Sequence, residues 1–328
     1  MTHITVQCIK ENSPGLKWSG LFYAKWPYYE SWFLRNGGSK KGYLTSSNML
    51  KKYMPEIFPV YEQLLTLSDG SDSAARFLSM YSPPAFMRGC SQMIYNKNSE
   101  SILVRNYEYL PAYFEGVMLY SNWKQPVIGI SDCLWGLLDG INSNGLAASL
   151  AFGGSNEVKE GFGIPLIIRY LLETTNTVDE AIAVLKTIPS HMAYNVQLCD
   201  AHGNAATVFV KPGGGVVVTS ELTCTNHQDT IAWELYHKAS KSGERKQFLE
   251  QLLAQNSLTE QQVVQAMLAP PLYFETENAS WSTLYTAAYN CIQKEVVLLW
   301  PFAKLKQSFS QFNETTFQIE LNPPSTKV

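Results

Sequence analysis

The segment from Gly89 to Glu108 constrains this chain most, because it places a cysteine at the start of one β-like run and an arginine and a glutamate at the end of the next. Residues 90–95 and 101–107 are rich in strand-forming side chains, and the turn-forming residues 96–99 lie between them. These features predict a β-hairpin. Such a hairpin would fold Arg105 and Glu108 back towards Cys90, although they lie well beyond it along the chain.

This grouping of residues has a chemical use. A thiol becomes a good nucleophile as a thiolate, and a nearby guanidinium such as that of Arg105 favours the thiolate by charge attraction. Gly89 allows strained or positive-φ backbone next to Cys90. If the Gly89–Cys90 bond were cut, Cys90 would gain an α-amine with a pKa of about 8, which suits a general base. A lone cysteine is more often a buried structural residue, so further motifs are needed.

Three further motifs follow along the chain. Asp139-Gly140-Ile141-Asn142 precedes an Asn-Gly pair that is typical of a tight hairpin turn. Cys224-Thr225-Asn226-His227 comes after a strand-like region, and Ser242-Gly243-Glu244-Arg245 opens a predicted helix. Taken alone, Asn226 would be a turn residue and Arg245 a solvated charge on a helix.

Together these motifs resemble the N-terminal-nucleophile (Ntn) hydrolases with a cysteine nucleophile, in the linear amide C–N hydrolase and choloylglycine hydrolase group. The resemblance is strongest to the acyl-CoA:6-aminopenicillanic acid acyltransferase-like peptidase family, from whose Asp-Gly-Met-Asn pattern the chain departs at Ile141. It implies a prosegment over residues 1–89 that packs on a catalytic domain over 90–328. It also implies a four-layer αββα sandwich of two mostly antiparallel sheets.

The resemblance assigns a role to each candidate residue. Cys90 is the nucleophile and its own α-amine moves the proton. Arg105 supports the thiolate, and Glu108 orients Arg105 or the amine. Asn226 donates its side-chain amide to the oxyanion, Arg245 completes the charge network, and Phe152 stands where choloylglycine hydrolases have a second oxyanion donor.

The predicted function is a self-processing amidohydrolase that acts on a small N-acyl amide through an acyl-cysteine. The alternatives are an acyltransferase that takes an acyl thioester, and a binding protein on a degenerate hydrolase fold. Glu108 keeps that last alternative open, since the family usually has aspartate there. No cofactor and no metal are expected.

Charge and composition argue against nucleic-acid-binding and membrane-spanning proteins. The net charge of −3 gives no basic footprint for nucleic acid, and no apolar run approaches the ~20 residues of a membrane span. The six cysteines are widely spaced and the first residues do not resemble a signal peptide, so we expect free thiols and a cytoplasmic location. A homo-oligomer is possible.

The order of predicted elements is strands, two helices, strands, helices and strands, which indicates the α+β class. Residues 49–67 read as helix interrupted at Pro55 and Pro59, and residues 230–239 as another.

Two rival sites remain at this stage. Cys199 and His202, together with Cys224 and His227, have ligand types suited to zinc. Alternatively, Cys90 could pair with His191 or His227 as a protease dyad, which would make the α-amine unnecessary.

Overall fold

The computed structural model describes residues 2–37, 41–87, 89–97, 99–274 and 281–321. The strands in these ranges are β1 Thr2–Glu11, β2 Gly89–Lys97, β3 Glu100–Tyr109, β4 Val117–Asn122, β5 Pro126–Asp132, β6 Gly136–Asn142, β7 Ala147–Phe152, β8 Tyr194–Cys199, β9 Ala205–Val210, β10 Val216–Thr219, β11 Thr223–Cys224, β12 Ser282–Asn290, β13 Glu295–Trp300, β14 Ala303–Ser308 and β15 Thr315–Leu321. The α-helices are α1 Leu16–Arg35, α2 Tyr43–Tyr53, α3 Phe58–Leu67, α4 Asp72–Ser79, α5 Ile164–Thr174, α6 Val178–Leu185, α7 Glu234–Ala239, α8 Ser242–Leu253 and α9 Glu260–Met267.

The strands of the described ranges form two sheets. The larger has the order β10-β9-β8-β7-β6-β5-β4-β1-β15, and the smaller has the order β11-β2-β3-β12-β13-β14. Neighbouring strands run antiparallel, with the exception of β1 and β4, which run parallel. The predicted pair of mostly antiparallel sheets is therefore confirmed.

The sheets are stacked between helices. Strands β2 and β3 pack face to face on β7 and β8 of the larger sheet. Helices α5 and α6 cover the far side of the larger sheet, while α8 and α9 cover the far side of the smaller one. This is the four-layer αββα arrangement of the α+β class that was predicted.

The β2–β3 hairpin forms as predicted and sets the geometry of the candidate site. Gly89 pairs with Glu108, and Cys90 pairs with Tyr107. Side chains alternate between the two faces of a strand. Cys90, Arg105 and Tyr107 face the larger sheet, on what we call the inner face; Ser91 and Glu108 share the parity of Met93 and Val104, which pack against α8 and α9 on the outer face.

The Asp139–Leu146 motif differs in part from its prediction. The Asn-Gly turn is present, since Gly145 has φ +92° and the Asn142 amide donates to the Leu146 carbonyl at 2.9 Å. However, Asp139 and Asn142 belong to β6 rather than to the turn, because β6 continues further than its local composition suggests. Asp139 is therefore buried between the sheets.

Residues 2–87 do more than pack on the rest of the molecule. Strand β1 lies inside the larger sheet, between β4 and β15, while α1 to α4 form a helical group beside it. The indole of Trp18 in α1 donates to the Leu134 carbonyl at 3.0 Å, and the indole of Trp135 donates back to the Leu78 carbonyl at 2.9 Å. The N-terminal segment is thus tied to the β5–β6 hairpin.

Helix boundaries shift where prolines and caps intervene. The predicted helix over residues 49–67 is two helices, α2 and α3, separated around Pro55, and α3 begins with Pro59 in its first turn. The helix predicted to start at Thr230 starts at Glu234. Among the helices of the described ranges, none combines the length and the apolar character that crossing a bilayer requires.

Candidate active site

Cys90 is the point where the predicted site residues meet. Its sulfur accepts a hydrogen bond from Arg105 Nη2 at 3.1 Å. Its backbone N–H donates to Asn226 Oδ1 at 3.0 Å, and its carbonyl oxygen accepts from Arg245 Nη1 at 2.9 Å. The side chain is completely buried. Three of the four other predicted residues therefore contact Cys90 directly, each at a different atom.

On the inner face, Arg105 is held by a buried polar cluster. Its Nη1 donates to the Asp139 carboxylate and to the Tyr285 hydroxyl, while its Nε donates to the Leu150 carbonyl at 2.9 Å. Asp139 also accepts from the Tyr285 hydroxyl at 2.7 Å and from the Tyr289 hydroxyl. We call Cys90, Arg105, Asp139, Tyr285 and Tyr289 the inner cluster. It fixes the guanidinium against the sulfur from several directions.

Glu108 lies on the outer face, and this contradicts the first of its two predicted roles, the orientation of Arg105; the second, the orientation of the α-amine, stays a prediction. Its Oε1 accepts from Arg245 Nη1 at 3.0 Å and from the Ser91 hydroxyl at 3.0 Å. Arg105 is three residues earlier on the same strand, so the two side chains point to opposite faces. Glu108 therefore positions Arg245 and Ser91 and does not hold Arg105. Its extra methylene, relative to aspartate, does not prevent this ion pair.

Gly89 is a glycine for a steric reason. It has ordinary strand backbone in β2 and no positive φ, contrary to the possibility raised by the sequence. A Cβ placed on it would lie 2.5 Å from Glu108 Oε2 and 3.3 Å from the Trp281 ring. Any larger residue would collide with the carboxylate beside the Gly89–Cys90 bond.

Asn226 and Arg245 are fixed to one another beside Cys90. Arg245 Nη2 donates to Asn226 Oδ1 at 2.8 Å, and Asn226 Nδ2 donates to the Phe152 carbonyl at 3.2 Å. We call Ser91, Glu108, Asn226 and Arg245 the outer cluster.

Ser242, at the start of α8, contacts Asn226 and the residues on either side of it. Its hydroxyl accepts from the Asn226 amide at 2.8 Å and contacts His227 Nδ1 at 2.7 Å and the Thr225 hydroxyl at 2.9 Å. Because α8 also carries Arg245, one serine couples the loop that bears Asn226 to the helix that bears Arg245.

Burial dominates the electrostatics of the thiol. Desolvation raises the pKa of Cys90 above its usual value, and this outweighs the opposing attraction of Arg105. Burial likewise raises the pKa of the Glu108 carboxyl, although Arg245 acts in the opposite direction. Arg105 thus has the predicted effect, but in the uncut chain the thiol form is favoured.

The rival histidine and metal sites are not assembled here. His191 Nδ1 lies 3.3 Å from the Phe162 carbonyl, whereas His227 contacts Ser242. Burial lowers the pKa of both imidazoles to about 4. Within the described ranges, no three His, Cys, Asp or Glu side chains come together as metal ligands would, and Cys199 contacts Cys291, sulfur to sulfur, at 3.1 Å.

A cavity of about 710 Å³ borders the outer cluster. Its polar lining residues are Glu108, Ser240, Lys241, Glu244 and Arg245, and Gly89 also borders it. The rest of its wall is mostly aromatic and proline side chains, namely those of Tyr236, Pro270, Pro271, Tyr273, Phe274 and Trp281. We call it the outer cavity. Its size suits a small molecule.

The sequence interpretation missed the residues that support the predicted ones. Asp139 opens a motif that was noticed, yet its partnership with Arg105 was not foreseen. Tyr285 and Tyr289 are four residues apart on β12, a spacing that puts both on one face of a strand and could have indicated a shared partner. Ser242 stood in the motif that supplied Arg245.

One protein family matches this chain. The sequence model described as "AAT: Acyl-coenzyme A:6-aminopenicillanic acid acyl-transferase" matches residues 95–303. Arg105, Glu108, Asn226 and Arg245 lie within the matched region, which begins five residues after Cys90. Among curated proteins, no sequence matches the chain.

Solved structures similar to this chain include a penicillin V acylase from Agrobacterium tumefaciens, with 15% identity, a TM-score of 0.46, and coverage of 70% of this chain and 90% of that one. A mutant of the conjugated bile acid hydrolase from Clostridium perfringens has 12% identity and a TM-score of 0.43, with coverage of 71% and 97%.

Proposed function

Since the chain belongs to the acyl-coenzyme A:6-aminopenicillanic acid acyl-transferase family, we propose that it is a self-processing enzyme that hydrolyses the linear amide bond of a small N-acyl substrate through an acyl-Cys90 intermediate. The observation that carries this proposal is the pair of contacts at Cys90. Arg105 holds the sulfur, and Asn226 holds the nitrogen that would become the α-amine.

The first step is cleavage before Cys90. The sulfur attacks the Gly89 carbonyl carbon, the C–N bond breaks, and the acyl group moves to sulfur while the nitrogen gains the thiol proton. Water then hydrolyses this thioester, leaving a Gly89 carboxylate and a Cys90 that carries a free thiol and α-amine. Displacement of the freed Gly89 end would admit water, which would reduce the desolvation that now favours the thiol over the thiolate.

The same atoms then act on substrate. The α-amine accepts the thiol proton as the sulfur attacks the substrate carbonyl, and the ammonium returns a proton to the leaving amine as the C–N bond breaks. Water attacks the acyl-sulfur bond with the same amine as base, which releases a carboxylic acid and restores the thiol. Arg105 stabilises the sulfur anion throughout.

The outer cluster serves the developing oxyanion and the amine. Once the Gly89–Cys90 bond is cut, Asn226 would turn its amide towards the substrate oxygen, a contribution of about 3 kcal/mol for a donor of this type. Glu108 and Arg245 keep Asn226 and the Cys90 carbonyl in place. The aromatic and proline wall of the outer cavity supports an apolar acyl group.

Acyl transfer is the second candidate, and the family description favours it. An amine that reaches the acyl-enzyme before water would take the acyl group, and a coenzyme A thioester could load it. Hydrolysis and transfer share every residue named here.

Intact-mass measurement tests the proposal. Wild type, Cys90→Ala and the control Cys8→Ala are measured before and after incubation with N-acyl amides and acyl-CoA thioesters. Wild type and Cys8→Ala should give two chains divided before Cys90, with an acyl adduct on the second. Cys90→Ala should stay one chain, with turnover lower by roughly 10⁶-fold. A single uncut wild-type chain with full activity, or normal turnover by Cys90→Ser, would contradict the proposal.

A further inference from the structure

Two buried thiols meet where the two sheets face each other. Cys199 ends strand β8 of the larger sheet, and Cys291 directly follows strand β12 of the smaller one. Their sulfur atoms lie 3.1 Å apart, although the two residues are 92 positions apart along the chain. Both side chains are fully buried, and both are free thiols in this structure. The pair therefore spans the interface between the sheets.

The backbone on each side holds the two sulfurs in register. Cys199 is paired with Ala147 and with Ala205, on the two neighbouring strands of the larger sheet. The Cys291 amide donates to the Ser101 carbonyl of β3 at 2.9 Å, which fixes the start of the β12–β13 turn. The S–S bond of a disulfide is about 2.05 Å long. Bonding thus needs the sulfurs to approach by only about 1 Å, from the observed 3.1 Å.

The pair lies directly beneath three turns. Cys199 precedes the β8–β9 turn, and Cys291 opens the β12–β13 turn. Gly145 of the β6–β7 turn packs against both, since a Cβ placed on it would collide with the Cys291 carbonyl and with the Ala201 side chain. Turns open locally at a lower free-energy cost than whole strands. Such openings give a small oxidant access to sulfurs that the average structure buries.

The two strands that lead to the sulfurs also support the candidate active site. On β12, the Tyr289 hydroxyl donates to the carboxylate of the inner cluster. On β8, Asn195 Nδ2 donates at 2.9 Å to the carbonyls of both residues that flank Asn226. A covalent bond between these strand ends would therefore tie the support of the inner cluster to the support of Asn226.

We propose that Cys199 and Cys291 are a site of reversible oxidation, where a disulfide joins the two sheets. With hydrogen peroxide as the oxidant, one thiolate attacks a peroxide oxygen and the O–O bond breaks, which gives a sulfenic acid and water. The second thiol attacks that sulfur, the S–S bond forms, and the hydroxyl leaves with the thiol proton as a second water. Two thiols are oxidised and one peroxide is reduced. An oxidising compartment closes this bond, and a reducing one leaves it open.

Burial sets the rate of the reaction. Desolvation raises the pKa of Cys199 well above its usual value, and the neighbouring Cys291 raises it further. Since the thiolate is the reactive form, oxidation of the folded protein should be slow. Refolding in the presence of glutathione disulfide avoids this barrier, because the sulfurs are accessible before the sheets close. The disulfide then passes its bond to the protein and leaves as two glutathione thiols.

Thiol mapping of wild type tests the proposal. The protein is incubated with hydrogen peroxide, or refolded with glutathione disulfide, and its free thiols are then blocked with N-ethylmaleimide in denaturant. Mass spectrometry of the digest should show the peptides of Cys199 and Cys291 as one species, lighter than their sum by two hydrogen atoms and separated by dithiothreitol. Because the disulfide closes a long loop, it should raise the unfolding temperature by roughly 5 °C.

Cys291→Ala should lose both the joined species and the temperature shift, whereas the control Cys8→Ala, in β1, should keep both. The wild-type comparison with and without dithiothreitol needs no variant, so it decides the matter even if Cys291→Ala fails to fold. Oxidation of Cys90 does not change the joined peptides, so the result is independent of the proposed catalysis. Free Cys199 and Cys291 after both treatments would overturn the proposal, as would an unfolding temperature that dithiothreitol leaves unchanged.

Discussion

The two faces of the β2–β3 hairpin each carry a buried arginine–carboxylate pair, but the two pairs have different surroundings. Arg105 and Asp139 of the inner cluster are sealed between two sheets, with both side chains fully buried. Arg245 and Glu108 of the outer cluster line a cavity. The inner pair therefore cannot move without disturbing the sandwich, whereas the outer pair can meet water and ligand. One strand thus holds a fixed electrostatic support and an adaptable one.

The largest expected difference between the two pairs comes from Asp139→Asn, which leaves the Arg105 charge unpaired in the sealed interior. We expect the free energy of unfolding to fall by about 3–5 kcal/mol, as measured by urea denaturation. Asp179→Asn, at an exposed position on α6, should change it by less than about 0.5 kcal/mol. A loss below about 1 kcal/mol for Asp139→Asn would mean that the inner pair is not the rigid one.

The outer pair should give a smaller stability effect. Glu108→Gln and Arg245→Gln should each lower the free energy of unfolding by about 1–2 kcal/mol, because the cavity lets water solvate the remaining partner. Chain cleavage should nevertheless slow at least tenfold, since Arg245 contacts the Cys90 carbonyl and Asn226.

A double-mutant cycle of these two variants measures their coupling. Lys246→Gln is the matched control, because Lys246 lies on the same helix as Arg245 and forms an ion pair with Glu221 nearer the surface. This substitution should lower the free energy of unfolding by no more than about 1 kcal/mol. If the outer variants destabilised the protein as much as Asp139→Asn, the two faces would not differ as described.

Ser242→Ala should have the smallest effect on the free energy of unfolding, and it tests whether Ser242 positions Asn226. The Asn226 backbone amide would lose its acceptor, at a cost of about 1 kcal/mol of unfolding free energy. Turnover should fall through kcat with little change in KM, since Asn226 is proposed to act on the transition state. Ser240→Ala, which removes a hydroxyl bonded to the His237 carbonyl, should leave kcat unchanged; equal losses in both variants would remove Ser242 from its positioning role.

Much of this arrangement follows from local sequence. Turn residues between two β-like runs predicted the hairpin, and the hairpin alone brings Arg105 to Cys90. The sequence also indicates that Glu108 and Arg105 point to opposite faces of the hairpin, because residues three apart on a strand lie on opposite faces. The predicted contact of Glu108 with Arg105 was wrong because the two residues were treated as neighbours without regard to the face on which each side chain lies, whereas its predicted role beside the α-amine stays a prediction.

Other features depend on contacts that no local pattern encodes. Asp139 reaches Arg105 only because β6 and β3 belong to stacked sheets, and the pairing of β1 with β15 joins the two ends of the described chain. Neither contact leaves a periodicity that a single sequence can display. The cavity of about 460 Å³ between helix α1 and the residues Phe86 and Tyr109 likewise forms between segments that are distant along the chain.

The position of β1 in the larger sheet determines what would happen to the two polypeptides after cleavage. A cut ahead of Cys90 would separate two polypeptides whose backbones remain hydrogen-bonded on both sides of β1, to β4 and to β15. The first polypeptide could depart only by breaking the hydrogen bonds of β1 with both of its neighbouring strands. The cut would therefore divide the chain without dividing the larger sheet, which would keep strands from both polypeptides.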